Sequence, residues 1–158
     1  MIIKGIIDED FVNYKKTAMV IECGYCNMKC GADRCQNARL LTAPDIDIKD
    51  EQLIERYINN PITKAVVLQG LDPLGNTESV NQTLEFINKL RGYNCNDDIV
   101  IYTGFDHHEI SSVIEFIKKY FNNVIVKFGR YIVGLPEIYD EVLGVTLASN
   151  NQYAKKIC

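Results

Sequence analysis

The chain has 158 residues, a formal net charge of −4 and a pI near 5.2. Apolar residues make up 47% of it and charged residues 24%, which is the balance of a folded protein and not of a disordered one. This length predicts a single domain over residues 1–158, and the acidic balance argues against a broad nucleic-acid-binding surface.

The N-terminal segment and the hydropathy of the chain indicate where the protein works. Acidic residues directly follow a short apolar run in residues 1–10, unlike the basic-then-apolar order of a secretory signal. No window approaches the roughly eighteen consecutive apolar residues that a membrane helix needs. We therefore expect a cytoplasmic protein with no membrane partner, in which grouped cysteines indicate metal binding or catalysis before disulfides.

Strand-length apolar runs alternate with segments of helical spacing along the chain. The predicted strands are residues 17–22, 64–69, 98–103, 123–128 and 142–148, with residues 1–7 as a further edge strand. The predicted helices are residues 50–59, 77–91 and 107–121. The alternation predicts an α/β fold with a mainly parallel sheet of about five strands, right-handed βαβ crossovers, and functional residues in the loops after the strands.

Four of the six cysteines fall in one short segment, as Cys23, Cys26, Cys30 and Cys35. A zinc site usually joins two cysteine pairs separated by a dozen or more residues, and this run is more compact. Thiolates a few residues apart on one loop can reach different corners of an iron–sulfur cubane. The spacing therefore favours an iron–sulfur cluster, with zinc or buried structural thiols as the alternatives.

The residues around these cysteines carry a family resemblance. The run Asp-Phe-Val-Asn at residues 10–13, followed by an apolar strand and then by Cys26-x3-Cys30, resembles the radical S-adenosylmethionine enzymes that activate anaerobic (class III) ribonucleotide reductase. In that family an Asp-x-Val-Asn segment precedes the first cluster ligand by a fixed stretch. The resemblance implies a 4Fe-4S cluster held by Cys26, Cys30 and Cys35, with Cys23 as a small buried side chain.

The resemblance continues through the later loops. Gly-Leu-Asp-Pro at residues 70–73 looks like the family's Gly-Gly-Glu/Asp-Pro, Tyr-Thr-Gly-Phe at 102–105 like its Tyr-Thr-Gly-Tyr, and 148–152 like its terminal Ser-Ser-Asn-Gln segment. An asparagine also follows the third cysteine closely, as it does in the family. The residues that the resemblance implies for binding S-adenosylmethionine are Gly70, Leu71, Asp72, Pro73, Thr103 and Asn37.

The resemblance also implies an activity and a fold. Enzymes of this family have a partial TIM-barrel fold and cleave S-adenosylmethionine reductively to form a 5′-deoxyadenosyl radical, which takes a hydrogen atom from a glycine of the partner enzyme. The implied partners are a glycyl-radical enzyme, here an anaerobic ribonucleotide reductase, and a flavodoxin or ferredoxin-type reductant. No catalytic residue beyond the cluster ligands is implied.

Three features depart from the family pattern, and two other functions stay open. Four residues, 31–34, separate Cys30 from Cys35 where the family has two; Arg34 replaces an aromatic residue, and Leu71 replaces a glycine. One alternative is a radical enzyme acting on a small molecule, such as a carboxy-deazaguanine-type synthase. The other is an electron-transfer or zinc-stabilised binding module, which would need a fourth ligand such as Cys23.

Overall fold

The computed structural model of the protein describes residues 1–31 and 33–158. The strands in this part of the chain are β1 (Ile2–Asp10), β2 (Ala18–Cys23), β3 (Ile46–Asp47), β4 (Ala65–Gly70), β5 (Asp98–Tyr102), β6 (Val124–Phe128), β7 (Ile138–Asp140), β8 (Val145–Leu147) and β9 (Tyr153–Lys156). The helices are α1 (Asp50–Ile58), α2 (Thr77–Gly92) and α3 (Ser111–Tyr120), with 3₁₀ turns at Ala38–Thr42 and His107–Ile110.

A mixed sheet of seven strands forms the centre of the fold, in the order β3-β1-β2-β4-β5-β6-β9. Strands β2, β4, β5 and β6 are parallel neighbours, while β1 and β9 flank them antiparallel. The order runs from one edge strand to the other, so the described residues form an open sheet. The predicted α/β class and the parallel core are confirmed, although the parallel part has four strands within a larger mixed sheet.

The three helices cover one face of this sheet. Buried residues recur along each helix at helical spacing, as Phe86, Ile87 and Leu90 do on α2. They pack on alternate strand residues, such as Val66 and Leu68 of β4, because successive side chains of a strand point to opposite faces. Burying each large apolar side chain contributes about 1.5–3 kcal/mol, which makes this face the main core.

The other face of the sheet has a thinner cover without a helix in the described residues. Its buried strand residues include Val20, Val67, Val100 and Ile125. They pack against Tyr14, Leu143 and Leu147, which come from the segment before β2 and from the segment around β8. Because this cover is short, it leaves the carboxyl ends of the parallel strands accessible on this face.

The prediction that residues 142–148 form a strand of the main sheet is wrong. Residues 141–144 form turns, and β8 pairs with β7 in a separate two-stranded ribbon. Gly144 explains the difference, because its φ of +73° turns the chain where the apolar run predicted a continuous strand. Strand β9 instead lies beside β6, and the predicted edge strand 1–7 extends to Asp10 and lies between β2 and the short β3.

Asp98, at the start of β5, fastens the segment before β2 to the sheet. Its carboxylate accepts hydrogen bonds from Tyr14 Oη at 2.9 Å and from Lys16 Nζ at 2.5 Å. Burial works to raise the pKa of Asp98, but these hydrogen bonds outweigh it and hold the pKa below its usual value. The carboxylate therefore stabilises the fold above its unfolded pKa, and this contribution is lost as the pH falls through the lower folded pKa.

We expect Asp98→Asn to lower the free energy of unfolding by about 1 kcal/mol at pH 7, because the charged acceptor of two hydrogen bonds is lost. The difference from the wild type should begin to shrink below about pH 4, where Asp98 of the unfolded chain takes up a proton, and should vanish below the lower pKa of the folded protein. Urea denaturation at pH 7 and pH 3 measures both values, with the exposed Asp47→Asn as control. An equal difference at both pH values would contradict the assignment.

Candidate functional site

A row of polar residues crosses the face without helices, at the carboxyl ends of the parallel strands. Glu22 of β2 pairs with Gln69 of β4, and Tyr102 of β5 pairs with Lys127 of β6. The residue two positions earlier on the same face of each strand is apolar and buried. All four parallel strands therefore change from buried apolar residues to polar residues at the same row of the sheet.

A cleft lies at this polar edge, and most of the residues predicted for the site line it. They are Cys26, Cys30, Cys35, Asn37, Gly70, Leu71, Asp72 and Thr103. The cleft contains about 700 Å³ of empty space, part of it open to solvent. Pro73 is buried and turned toward α2, where its carbonyl accepts a hydrogen bond from Thr83 Oγ1 at 2.9 Å.

The three cysteines of the cleft come from the loop that follows β2. The Gly31 carbonyl accepts hydrogen bonds from the N–H groups of Arg34 and Cys35, each at 3.1 Å, and the Gly31 N–H donates to the Met28 carbonyl at 2.9 Å. Gly31 has a φ of +90°, which residues with a side chain rarely adopt. These turns coil the loop between Cys30 and Cys35; Ala32, within the same spacer, lies outside the described residues.

The thiols of this loop are half-buried and close enough to influence one another. Burial raises the pKa of the Cys26 thiol, while the Met28 N–H, which donates to Cys26 Sγ at 3.3 Å, works in the opposite direction. Burial and then the neighbouring Cys35 thiol raise the pKa of Cys30. In the absence of a metal, burial therefore favours the neutral form of the Cys26 and Cys30 thiols.

This donor set fits a 4Fe-4S cluster. Such a cluster takes one thiolate at each ligated iron, so that three sulfurs around an open cleft can bind three of its four irons. The positive charge of the irons favours the thiolate forms, which offsets the effect of burial. Among residues 1–31 and 33–158, no three His, Cys, Asp or Glu side chains converge closely enough to hold a single metal ion.

Cys23 lies on the opposite side of the sheet from the cleft. Met19, Ile21 and Cys23 alternate along β2 toward the helices, and Cys23 is 4% exposed in that core. Its Sγ lies 3.8 Å from the Ile21 carbonyl, and burial raises the pKa of the thiol. The prediction that Cys23 is a small buried side chain is confirmed.

Asp72 joins the loops that surround the cleft. Its Oδ1 accepts a hydrogen bond from the Leu74 N–H at 3.0 Å, and its Oδ2 accepts from Thr103 Oγ1 at 3.1 Å and from the Gly104 N–H at 3.0 Å. The Asp72 N–H donates to the Tyr25 carbonyl at 2.7 Å. Burial raises the pKa of Asp72, and the three hydrogen bonds to the carboxylate partly offset this. The side chain predicted to bind a ligand is thus engaged in holding the loops together.

Asn37 and Gly70 close the cysteine loop onto the end of β4. Asn37 Nδ2 donates a hydrogen bond to the Gly70 carbonyl at 2.8 Å. Gly70 has a φ of +84°, and a Cβ at this position would lie 2.9 Å from Leu40 Cδ1, so only glycine fits here without a shift. The neighbouring Leu71 is buried with a negative φ, so the leucine in place of the family's second glycine is accommodated.

The side chain of Arg34 lies at the surface and not among the residues that line the cleft. It is 63% exposed and forms an ion pair with Asp33 at 3.4 Å. Arg34 therefore does not replace the aromatic residue of the family pattern as a wall of this cleft. Its guanidinium group is solvated.

The sequence analysis missed Lys127, which lines the cleft from β6. The side chain is buried, with 7% of the residue exposed, and Nζ donates a hydrogen bond to the Gly129 carbonyl at 2.8 Å. Burial lowers the pKa of Lys127 to about 8, although the nearby Asp72 carboxylate and Cys30 act to raise it. A lysine inside an otherwise apolar strand was the available signal, because lysine is rarely buried without a partner.

The comparisons with known proteins agree with this site. A family model described as 4Fe-4S single cluster domain matches residues 16–142, which include the three cysteines of the cleft and the loops after β4 and β5. The search of curated proteins and the search of solved structures found no match. The match confirms the prediction of a 4Fe-4S domain.

Within the described residues, no helix is both long and apolar enough to cross a bilayer.

Proposed function

We propose that this chain, which belongs to the 4Fe-4S single cluster domain family, is a radical S-adenosylmethionine enzyme. The observation that carries the proposal is the cleft, where Cys26, Cys30 and Cys35 meet the loops after β4 and β5. Three thiolates leave one iron of a four-iron cluster free to bind a substrate, as a catalytic metal site keeps one open position. Cys26, Cys30 and Cys35 would hold the cluster, which when bound and reduced would supply the electron that breaks a carbon–sulfur bond of S-adenosylmethionine, giving methionine and a 5′-deoxyadenosyl radical.

The residues of the chain would hold and orient S-adenosylmethionine at this open position. The backbone at Gly70 and Leu71 offers polar groups beside the cysteines, and the Asp72 hydrogen bonds fix the position of Thr103 and Gly104 across the cleft. Buried strand residues beneath the polar row exclude water from below. The parallel strands β2, β4, β5 and β6, with the cleft at their carboxyl ends, suit the proposed kinship with partial TIM barrels.

We further propose that the radical acts on a protein. The hydrogen atom would come from a glycine of an anaerobic ribonucleotide reductase, which leaves a glycyl radical on that enzyme and 5′-deoxyadenosine as the second product. A flavodoxin or ferredoxin-type protein of the cytoplasm would supply the electron. The accessible face beside the cleft supports a protein substrate, because few residues close it.

The proposal is tested with protein purified without oxygen, reconstituted with iron and sulfide, and reduced. Electron paramagnetic resonance with and without S-adenosylmethionine should show a cluster signal that changes on addition, and 5′-deoxyadenosine should form. Cys26→Ala should lose both, whereas the exposed Asp33→Ala should keep both. If the cluster forms but neither responds to S-adenosylmethionine nor cleaves it, the protein is instead an electron-transfer or binding module.

The protein-activating step has its own readout. Mixing the reduced enzyme with S-adenosylmethionine and the anaerobic ribonucleotide reductase of the source organism should produce the doublet signal of a glycyl radical. Cleavage of S-adenosylmethionine without this doublet would instead favour an enzyme acting on a small molecule.

Lys127 is suited to bind the carboxylate of S-adenosylmethionine, because its buried ammonium group has only the Gly129 carbonyl as a hydrogen-bond partner in the described residues. We expect Lys127→Met to weaken S-adenosylmethionine binding about 10-fold or more, since a charge-assisted hydrogen bond is worth about 1.5–3 kcal/mol. Equilibrium dialysis measures the affinity, and iron content shows that the cluster remains. The exposed Lys155→Met is the matched control, and an unchanged affinity in Lys127→Met would contradict this role.

A further inference from the structure

Two surface turns beside the cleft expose large apolar side chains. Phe11 and Val12 are 68% and 72% exposed, and Ile132 and Val133 are 47% and 55% exposed. We call these four residues the apolar rim. Single exposed apolar residues are ordinary, but a group of them around an opening is typical of an interaction surface.

The first of these turns is held in place by a buried carboxylate. Asp10 accepts hydrogen bonds from the N–H of Val12 at 3.2 Å, from the N–H of Asn13 at 2.8 Å, and from Asn13 Nδ2 at 3.0 Å. The Asn13 carbonyl in turn accepts a hydrogen bond from Tyr102 Oη at 2.6 Å. Phe11 and Val12 are therefore presented to solvent by a fixed turn that is tied to the sheet beside the cleft.

The second turn is also tied to the body of the protein. Asn151 Nδ2 donates a hydrogen bond to the Arg130 carbonyl at 2.7 Å, and the Leu135 N–H donates to the Ile132 carbonyl at 3.4 Å. Apolar groups that are already ordered lose little conformational entropy when a partner covers them. Both halves of the rim are therefore prepared for docking.

A polar compartment connects the rim with the cysteine cleft. It contains about 860 Å³ of empty space, part of it open to solvent, and it is lined by Val12 of the rim and by Tyr131, which precedes Ile132 of the rim. Its wall includes Cys35 and Lys127, which also line the cysteine cleft. The amide and threonine side chains of its wall are Asn13, Gln36, Asn37, Gln69, Thr146 and Gln152.

The chemistry of this wall indicates the class of occupant. Amide side chains both donate and accept hydrogen bonds, as the backbone of an extended polypeptide does. Among the described residues of the wall, Lys127 is the one side chain with a full charge, so a multiply charged metabolite would find few counter-charges. An uncharged polypeptide segment matches the compartment, and apolar side chains next to that segment match the rim.

We propose that a protein substrate docks its apolar side chains on the apolar rim and passes an extended, uncharged segment through this compartment to the cysteine cleft. This proposal rests on the proposed function and specifies the surface that the protein substrate uses. The control position for this proposal is Phe116 of α3, an aromatic residue outside the rim. It is 44% exposed on a helix that packs against the opposite face of the sheet.

The test measures binding of the anaerobic ribonucleotide reductase of the source organism to the reconstituted enzyme, by surface plasmon resonance without oxygen. We expect the double variant Phe11→Asp with Val133→Asp to bind at least about 10-fold more weakly than the wild type, since a few apolar anchors carry most of the affinity of an interface. Phe116→Asp should bind as the wild type does. All three proteins should form 5′-deoxyadenosine at the same rate in the absence of the reductase, which also shows that the variants are folded.

Each other outcome overturns a defined part of the proposal. If the double variant cleaves S-adenosylmethionine and binds the reductase with wild-type affinity, the docking surface is wrong while the proposed function stands. If sedimentation shows a wild-type dimer that the double variant loses, the rim joins two copies of this chain and the proposal is overturned. If the wild type forms no 5′-deoxyadenosine, the proposed function fails first and the docking proposal falls with it.

Discussion

Replacing Cys26, Cys30 or Cys35 with alanine should remove the iron–sulfur cluster, whereas replacing Cys23 with alanine should leave it in place. The three cysteines line one cleft, but the Cys23 side chain points into the core on the helical face of the sheet. A cluster bound by three thiolates loses the ligand of one of its irons when any one of them is removed. Loss of the Cys23 sulfur only leaves a minor gap in the core, which costs about 1 kcal/mol.

Iron and acid-labile sulfide content after anaerobic reconstitution measure this result directly. We expect about four irons per chain in the wild type and in Cys23→Ala, and close to none in the three cleft variants. Circular dichroism shows whether each variant is folded before reconstitution. Loss of the cluster in Cys23→Ala would indicate four protein ligands, and would favour an electron-transfer centre over an enzyme with an open iron.

The parts of the fold that depend on local pattern could be predicted from the sequence. Strand-length apolar runs indicated β2, β4, β5 and β6, and helical spacing indicated the helices that connect them, because both patterns follow from backbone geometry. The loops after these strands then had to meet at one edge of the sheet. This is why cysteines from the first loop and Thr103 from a distant loop could be assigned to one site.

The parts that depend on a single conformation or on a distant contact could not be predicted. The apolar run of residues 142–148 reads as one strand, but the positive φ of Gly144 breaks it, and β9 takes the place beside β6. Lys127 belongs to the site because it lies beside Tyr102, in the row where the parallel strands change from buried apolar to polar residues. Which residues share that row is known only once the strands are paired in the sheet.

The role of Asp72 shows the same limit within the site itself. Its place in a Gly-Leu-Asp-Pro turn predicted contact with a ligand, and Asp72 does line the cleft. The carboxylate, however, accepts its hydrogen bonds from Leu74, Thr103 and Gly104. Which groups a buried carboxylate meets is decided by the packing of two loops that are far apart in the sequence.

Asp72→Ala should therefore destabilise the fold and disturb the cleft together. The substitution leaves two backbone N–H groups and the Thr103 hydroxyl without their acceptor, and unsatisfied buried donors of this kind cost about 1–3 kcal/mol each. Because a buried carboxylate is itself expensive to desolvate, the net loss should be smaller than the sum, about 3 kcal/mol. The loops after β4 and β5 should then separate, since Asp72 is the side chain that joins them.

Asp10→Ala is the matched control for this prediction, because Asp10 is also buried and also accepts three hydrogen bonds, but in the turn before β2. Urea denaturation should show a comparable loss of stability in both variants. Equilibrium dialysis of the reconstituted proteins should show at least about 10-fold weaker S-adenosylmethionine binding in Asp72→Ala alone, which corresponds to about 1.4 kcal/mol. If both variants bind S-adenosylmethionine as tightly as the wild type, the two loops do not form its binding site, and the ligand must be held by the cysteine loop and Lys127 without them.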